Sequence, residues 1–574
     1  MRPRGRSRAA LALALSCALL LALPARVLCS PAEDHAPAGG PSHAAHDTSD
    51  SGVDNGTWVD HDGRPIPQPP DWEPSFWGHQ FREAISEPLS HAFDIPDKML
   101  FLARVLGAHT RREAVNVNVF DEAPNSTWFT NRNHMRAVPV ADLARGPDSL
   151  AVPTKPWVVK HAKQGGASAG FQIKDADGKK WLVKLDPRDH PQLSAGADMV
   201  ARTLVHAAGY NVPHNEPVRF RKSDIKIDED LLRGAKGEHF TQADLDSLLS
   251  RGAVLSDGTY SAFASLFLPG HVLGSPSMRR RRPGDSNDWY RHTNRRELRG
   301  LYVLCSWIDD WDTKDHQFLD TFLARPDSLG HVDHYLLDVG SSFGAQANGP
   351  KALWQGYEST VDFGWIARRF VMFGFAIEPW RQAHENSGIP SVGNFESEVF
   401  YPGHFATEQQ QAAFREMTDA DAYWGAKIVA SFSNAQIAAA VGSAHYEDPR
   451  ASEFLVRNLI QRRDKIARYW FGRVAPLDFF WIDDGMLRFH DLAVDIGLAG
   501  ARGYDVEVES ESGRDRSHKR LTLTTAKMDL RTLPGGATRL ELQLSIPGSG
   551  SGPVRVELSR TGPDWIVTRV RHAG

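Results

Sequence analysis

The sequence predicts an α+β protein with a small β-rich part, a larger helical part and a C-terminal antiparallel β-sandwich. A hairpin signal indicates the first part, because the turn Asp177-Gly178 separates two short apolar runs. Apolar residues at helical spacing between positions 418 and 471 indicate the second. Strict alternation of apolar and polar residues in segments between positions 504 and 570 indicates the third. A chain of 574 residues has room for these parts as separate domains.

The first 30 residues predict export. A basic start precedes the apolar run Ala9–Leu23, which has the layout of a secretory signal peptide and is short for a membrane span. The prediction is a signal peptide over residues 1–30 and a periplasmic, cell-envelope or extracellular protein. A retained anchor, or lipid attachment at Cys17 or Cys29, is the weaker alternative. No later stretch predicts a transmembrane helix, and a net charge of -5 argues against a nucleic-acid partner.

Two further segments precede the β-rich part. Residues 31–70 are rich in Pro, Gly, Ala, Asp and His without periodicity, which predicts a disordered linker. Residues 71–156 form an N-terminal extension, in which positions 93–108 have helical spacing. After removal of the signal peptide Cys305 is the single cysteine, so we expect no intrachain disulfide and a small buried core residue there.

Residues 157–270 begin with a loop of small residues, which is followed one strand later by Lys184. A helix predicted over residues 194–209 contains Asp198. The candidate loop residues are Gly165, Gly166, Ser168 and Gly170.

Two acidic centres follow, each at the end of an apolar run. Asp312 begins a segment with Lys314 two positions on and Gln317 five positions on, and Asp338 begins the tripeptide Asp-Val-Gly340. Phosphoryl transfer needs one carboxylate to accept the proton of an attacking hydroxyl and another to hold Mg²⁺. Other titratable residues crowd the first centre, so the choice of base among them stays open: Asp309, Asp310, Asp315 and His316.

These two centres resemble the Asp-x-Lys-x-x-Asn and Asp-Phe-Gly motifs of the protein-kinase-like fold. The resemblance is closer to its atypical branches, the toxin-type Ser/Thr kinases, lipid kinases, and spore-coat and secretory-pathway kinases. The chain is also similar to a group of large exported bacterial proteins. The resemblance covers residues 157–471 and implies a bilobal core, with a small lobe over 157–270 and a helical lobe over 271–475.

The resemblance also implies roles for the candidate residues. Asp312 accepts the acceptor's proton and Lys314 neutralises the transferred phosphoryl group, while Asp338 and Gln317 hold Mg or Mn. Lys184, paired with Asp198, and the small-residue loop bind the phosphates of ATP or another nucleotide. The sequence departs from the family pattern in having Gln317 for Asn and Asp198 for Glu.

Two alternatives remain open at this point. The first is a kinase-fold scaffold without catalysis, whose β-sandwich over residues 476–574 binds a protein partner. The second is a metal-dependent hydrolase that uses the same acidic cluster, although no His-Glu-x-x-His motif is present. A basic cluster precedes Asp312 and predicts either a site for phosphates or a solvated loop. Its members are Arg279 to Arg282, Arg291, Arg295, Arg296 and Arg299.

Overall fold

A computed structural model describes residues 58–71, 111–147, 151–162, 168–233, 238–359, 370–372, 379–383, 388–409, 411–512, 515–533 and 536–573. All of them belong to one compact unit, residues 55–574. The signal peptide, most of the linker and the helix predicted over residues 93–108 lie outside the described residues. Within the described ranges, no helix is both long and apolar enough to cross a membrane.

The largest sheet contains the hairpin that the sequence predicts. The elements up to this sheet's last strand are β1 (Ile66–Pro67), α1 (Val140–Arg145), β2 (Trp157–Ala162), β3 (Gly170–Lys174), β4 (Lys180–Leu185), α2 (Leu193–Ala208), β5 (Asn215–Phe220), β6 (Ile225–Ile227), β7 (Leu232–Arg233), β8 (Glu238–His239), α3 (Gln242–Leu249) and β9 (Tyr260–Leu266). Six of these strands form the sheet in the order β5-β9-β4-β3-β2-β6. Trp181 and Val183 of β4 are buried on one face. Because side chains alternate along a strand, Lys184 lies on the opposite face.

A second sheet places the two acidic centres. The next elements are β10 (His271–Gly274), α4 (Arg296–Ile308), β11 (Phe318–Ala324), β12 (Leu329–Leu336), β13 (Ala345–Gln346) and β14 (Gly349–Pro350). Strands β10, β11 and β12 join β1 in the order β1-β12-β11-β10. Asp312 lies in the connection between α4 and β11, and Asp338 follows the end of β12.

Residues 58–70 contain a strand and hydrogen-bonded contacts, although the sequence predicts that they belong to a disordered linker. In β1, Ile66 pairs with Gly330 of β12, and its side chain is 6% exposed. Asp62 accepts hydrogen bonds from the backbone N–H and the hydroxyl of Thr127. The composition of this stretch is polar, but partners distant in the chain satisfy its backbone and its carboxylate.

The helices form the main hydrophobic core. After β14 they are α5 (Ala412–Glu416), α6 (Asp419–Ala430), α7 (Asn434–Gly442) and α8 (Pro449–Phe471). Capping boxes begin α6 at Thr418 and α7 at Ser433. Trp307 of α4 and Leu459 of α8 are buried in this core. Cys305 is buried there too, which confirms its prediction as a core residue.

The alternating C-terminal segments form antiparallel strands. The last elements are β15 (Leu477–Asp483), β16 (Met486–Asp491), α9 (Leu492–Asp495), β17 (Tyr504–Ser512), β18 (Asp515–Leu523), β19 (Lys527–Asp529), β20 (Arg539–Ser545), β21 (Val554–Thr561) and β22 (Asp564–His572). One sheet has the order β15-β16-β19 and the other β18-β17-β20-β21-β22. Leu487 from the first sheet and Leu542 and Val556 from the second belong to one hydrophobic cluster. A separate sandwich domain stays a prediction.

Four arginines of the basic cluster are buried, and so they form neither the phosphate site nor the solvated loop that the sequence predicts. Arg295 and Arg299 are 1% or less exposed, and Arg282 and Arg296 are nearly as buried. Their carboxylate partners are Asp320 for Arg282, Asp288 for Arg295, Asp121 and Asp421 for Arg296, and Asp421 for Arg299, at 2.6 to 3.3 Å. These guanidinium groups therefore hold elements of the fold together.

Candidate functional site

The site centres on an ion pair between two predicted residues. The Lys184 ammonium of β4 lies 2.7 Å from Asp338 Oδ2, beyond the end of β12. The Lys184 side chain is 13% exposed and that of Asp338 is 35% exposed. Burial alone would lower the pKa of Lys184, but the carboxylates of Asp338, Asp198 and Asp312 outweigh burial, and the pKa is raised. The lysine is therefore charged and lies within the field of three candidate acids.

Asp198 lies near this pair but does not form the ion pair that the sequence predicts. The Asn215 amide of β5 donates to Asp198 Oδ1 at 2.6 Å, and both residues are buried. Burial raises the pKa of Asp198 to about 6, although Asn215 and Lys184 favour its ionised form. An aspartate side chain is one methylene shorter than the expected glutamate, and here Asn215 holds it while Lys184 pairs with Asp338.

The small-residue loop is described only in part. Gly165 and Gly166 lie outside the described residues. Ser168 is half-buried, and Gly170 starts β3 opposite Lys184. A Cβ on Gly170 would lie 2.4 Å from the Val183 carbonyl oxygen. Glycine at this position is thus required by the close approach of two strands, a reason independent of any phosphate.

Asp312, Lys314 and Gln317 are brought together as the sequence predicts. The Lys314 ammonium lies 2.9 Å from Asp312 Oδ1, and the Gln317 amide donates to Asp312 Oδ2 at 2.7 Å. Helix α4 ends at Ile308, and Asp309 follows with φ 61, in the left-handed region. This residue turns the chain out of the helix, so that Asp312 reaches the surface beside β11.

Glu408, which no sequence pattern predicted, completes this group. Its Oε2 lies 2.9 Å from the Lys314 ammonium, so the lysine bridges two carboxyl groups. Burial and the neighbouring carboxyl of Glu408 raise the pKa of Asp312 to about 8, against the opposing charge of Lys314. Burial would raise the pKa of Glu408, but Asp312 and Lys314 lower it. Glu408 follows Lys314 by 94 residues, and no local pattern marks it.

The surroundings of Asp309 and Asp310 differ from those of Asp312. Asp309 is paired with Lys351, and both side chains are buried. Asp310 is 1% exposed, and it accepts a hydrogen bond from the Thr313 hydroxyl at 2.8 Å. Burial raises the pKa of Asp310 to about 7. Neither carboxyl group is accessible to an acceptor, whereas the Asp312 side chain is 23% exposed.

A nucleotide with Mg or Mn fits the chemistry of these residues. Asp338 offers carboxylate oxygens, and Gln317, whose amide nitrogen donates to Asp312, offers its amide oxygen. These hard oxygen donors suit Mg²⁺, which proteins bind through one or two carboxylates together with substrate phosphates. Among the described residues, no three His, Cys, Asp or Glu side chains form a metal-binding group. Phosphate oxygens would supply the remaining ligands.

Comparisons with known proteins found no matching family model and no matching curated protein. Solved kinase structures are among those that match. A Helicobacter pylori proinflammatory kinase, CtkA, has 9% identity and a TM-score of 0.29, over 56% of this chain and 99% of that chain. A Golgi casein kinase with Mn/ADP bound has 14% identity and a TM-score of 0.26, over 55% of this chain and 72% of that chain.

Proposed function

We propose that this protein is a kinase-like phosphotransferase with a bilobal core and a C-terminal β-sandwich. It moves a phosphoryl group from a nucleotide such as ATP to a hydroxyl acceptor, with Mg or Mn. The observation that carries the proposal is the ion pair between Lys184 of one sheet and Asp338, which follows the last residue of β12 in another sheet. Their sequence motifs assign Lys184 to phosphates and Asp338 to the metal. Asp312 is close enough to help raise the pKa of Lys184, which supports the proposal that the acidic centre around it is part of the same site.

The proposed reaction is an in-line transfer. The acceptor hydroxyl oxygen attacks the terminal phosphorus of the nucleotide, and its proton passes to an Asp312 carboxylate oxygen. The bond between that phosphorus and the bridging oxygen breaks, and the nucleoside diphosphate leaves with the electron pair. Lys314 and Lys184 bind phosphoryl oxygens, while Asp338 and Gln317 would hold the metal. Bound there, the metal supplies neutralisation of phosphate charge.

One observation favours a second candidate, a kinase-fold scaffold that binds a nucleotide or another ligand without transferring phosphate. With a pKa of about 8, the Asp312 carboxyl retains its proton at neutral pH. A protonated carboxyl cannot accept the proton of an acceptor. In this alternative the C-terminal sandwich, residues 476–574, binds a protein partner.

Nucleotide binding and phosphate transfer by the purified chain distinguish the two candidates. The variants are Lys184→Ala, Asp338→Ala and Asp312→Asn, with the exposed Asp564→Ala as control. A phosphotransferase labels itself or a generic acceptor, and Asp312→Asn reduces the rate by about 10² to 10⁴. Asp338→Ala abolishes the metal dependence of nucleotide binding. If the wild type binds nucleotide and transfers nothing, the scaffold is correct, and if it binds none, the nucleotide-site assignment is wrong.

Export remains part of the proposal and depends on residues 1–30. Cell fractionation of the whole chain and of a chain lacking those residues tests it. We expect the whole chain outside the cytoplasm and the shortened chain within it. The same location for both would refute the assignment of a signal peptide.

A further inference from the structure

The turn that follows α4 carries the chain from the buried helix to Asp312. Asp309 has φ 61 in this turn, a left-handed conformation that few residues other than glycine adopt, and that Asp and Asn adopt more readily than most. The Asp309 side chain is only 6% exposed. A buried carboxylate needs a cation or hydrogen-bond donors, so the conformation of this turn depends on what Asp309 contacts.

Lys351 supplies the cation for Asp309. Its side chain is 4% exposed, and its ammonium is paired with Asp309 Oδ2. The same ammonium donates to the Gln355 carbonyl oxygen at 2.6 Å. A Cβ on Gly356, where φ is 92, would lie 2.7 Å from Asp309 Oδ1 and 2.8 Å from the Lys351 ammonium. Glycine at position 356 therefore allows the backbone to lie directly against this ion pair.

A second cation near Asp309 is engaged elsewhere. Arg462 of α8 lies 3.9 Å from Asp309 Oδ1. Its guanidinium donates to the carbonyl oxygens of Ser306 at 2.5 Å and Trp307 at 3.0 Å, in the last turn of α4. A cation is favourable there, because the last carbonyls of a helix have no partner within the helix. Arg462 therefore holds the end of α4, and Lys351 holds the residue that follows it.

The segment that contains Lys351 follows Asp338 and contacts the turn at a second point. The rings of Trp311 and Trp354 meet edge to face, with their centroids 5.9 Å apart. Trp311 directly precedes Asp312 in the sequence. The segment after Asp338 thus contacts the turn through an ion pair and through an aromatic pair, both on the N-terminal side of Asp312.

We propose that Lys351 is a positioning residue, which pairs with Asp309 and thereby fixes the turn that carries Asp312 against the segment that follows Asp338. This inference rests on the proposed phosphotransferase function, in which Asp312 receives the acceptor's proton and Asp338 holds the metal. The pair on the nucleotide side joins Lys184 to Asp338, whereas Lys351 pairs with Asp309. Loss of Lys351 should therefore slow transfer and spare nucleotide binding.

The test compares Lys351→Met, Asp309→Asn and the double variant in the full chain, with MgATP as the nucleotide. The readouts are the rate of phosphate transfer to the chain itself or to a generic acceptor, the Kd for MgATP, and the melting temperature. We expect Lys351→Met to lower the transfer rate by about 100-fold, the cost of a small misplacement at a reacting group. The Kd for MgATP should stay near its wild-type value.

The double variant separates positioning from stability. Each single variant leaves one buried charge without its partner, whereas the double variant buries neither charge, and Asn tolerates the left-handed conformation at position 309. Its melting temperature should therefore recover most of the loss seen in Lys351→Met. Its transfer rate should stay low, because Met and Asn do not restore the ionic contact.

Lys427→Met is the matched control. It removes another buried lysine, which pairs with Glu122 and Asp478 and with no residue of the acidic centres in the described ion pairs. At a temperature where it is folded, this variant should transfer phosphate at the wild-type rate despite a lower melting temperature.

The outcomes separate this inference from the proposed function. A wild-type transfer rate in Lys351→Met overturns the inference alone. A double variant that recovers the rate together with the melting temperature also overturns it, since only the unpaired charge then mattered, and this comparison decides even if Lys351→Met does not fold. An equal loss of rate in Lys427→Met has the same meaning. A wild type that transfers no phosphate removes the proposed function first, and the inference with it.

Discussion

The buried ammonium of Lys427 gives the sharpest prediction about stability. Lys427 lies on α6 and pairs with Glu122 of the N-terminal extension and, at 2.7 Å, with Asp478 Oδ2 of β15. All three side chains are 5% exposed or less. Lys427→Met keeps most of the side-chain volume and removes the charge, so it leaves two carboxylates facing each other in the core.

The cost follows from leaving a buried carboxylate without its cation. Removing one partner of a buried ion pair costs about 3 to 5 kcal/mol. Burial would raise the pKa of Glu122, but Lys427 and then His134 lower it from 4.5 to about 2, so Lys427 is the main group that keeps Glu122 ionised. We therefore expect Lys427→Met to lower the free energy of unfolding by about 3 kcal/mol at pH 7.

The pH dependence has a definite sign. A carboxyl group whose pKa is lowered on folding stabilises the protein above its unfolded pKa, and this contribution is lost as the pH falls through the folded value. For Glu122 the window runs from pH 4.5 down to about 2. The difference between wild type and Lys427→Met should therefore shrink between pH 5 and pH 3.

Urea unfolding followed by tryptophan fluorescence measures this difference at pH 7, 5 and 3. The control is Lys222→Met, since Lys222 pairs with Asp246 where both side chains are about half exposed. An exposed pair contributes about 0 to 1 kcal/mol, so this variant should differ little from the wild type. A Lys427→Met loss no larger than that of Lys222→Met, or one that does not change with pH, would refute the argument.

Two further predictions concern the site. Burial raises the pKa of Asp198 to about 6, so the wild type loses stability as the pH rises from 4 through 6, and Asp198→Asn should remove that loss. Its melting temperature should then exceed that of the wild type at pH 7.5 and match it near pH 4. Gly170→Ala places a Cβ 2.4 Å from the Val183 carbonyl oxygen and should cost about 1 to 3 kcal/mol in unfolding experiments. The matched control is Gly442→Ala, because a Cβ on this helical residue meets nothing within 4 Å, and it should stabilise the protein by about 0.5 to 1 kcal/mol. Equal effects of the two substitutions on stability would contradict the packing explanation.

Local patterns predicted much of the secondary structure. The alternation over Tyr504–Ser512 and Val554–Thr561 predicted strands, because a sheet with one wet face imposes a period of two. The helical spacing of apolar residues between positions 418 and 471 predicted α6, α7 and α8, because one face of each helix packs in the core. Such signals lie within a few positions and can be seen in a single sequence.

The remaining features depend on contacts between distant residues. Asn215 replaces Lys184 as the partner of Asp198, and this exchange depends on how β5 packs beside α2. Glu408 approaches Lys314 from a loop whose own sequence has no distinctive spacing. Residues 58–70 are ordered because of Thr127 and β12, which a composition rich in Gly and Pro does not reveal. Spacing therefore made Asp312, Lys184 and Asp338 candidates, and tertiary packing determined their partners.

The pairing of Asp121 with His572 has a consequence for the order of folding. His572 in β22 contacts the Asp121 carboxylate at 2.9 Å, while Arg296 of α4 contacts the same carboxylate. During synthesis from the N-terminus, Asp121 emerges long before His572. The N-terminal extension thus cannot complete its buried contacts until the ribosome has reached β22. This part of the core can therefore be completed only after β22 has been synthesised, and not as the extension itself emerges.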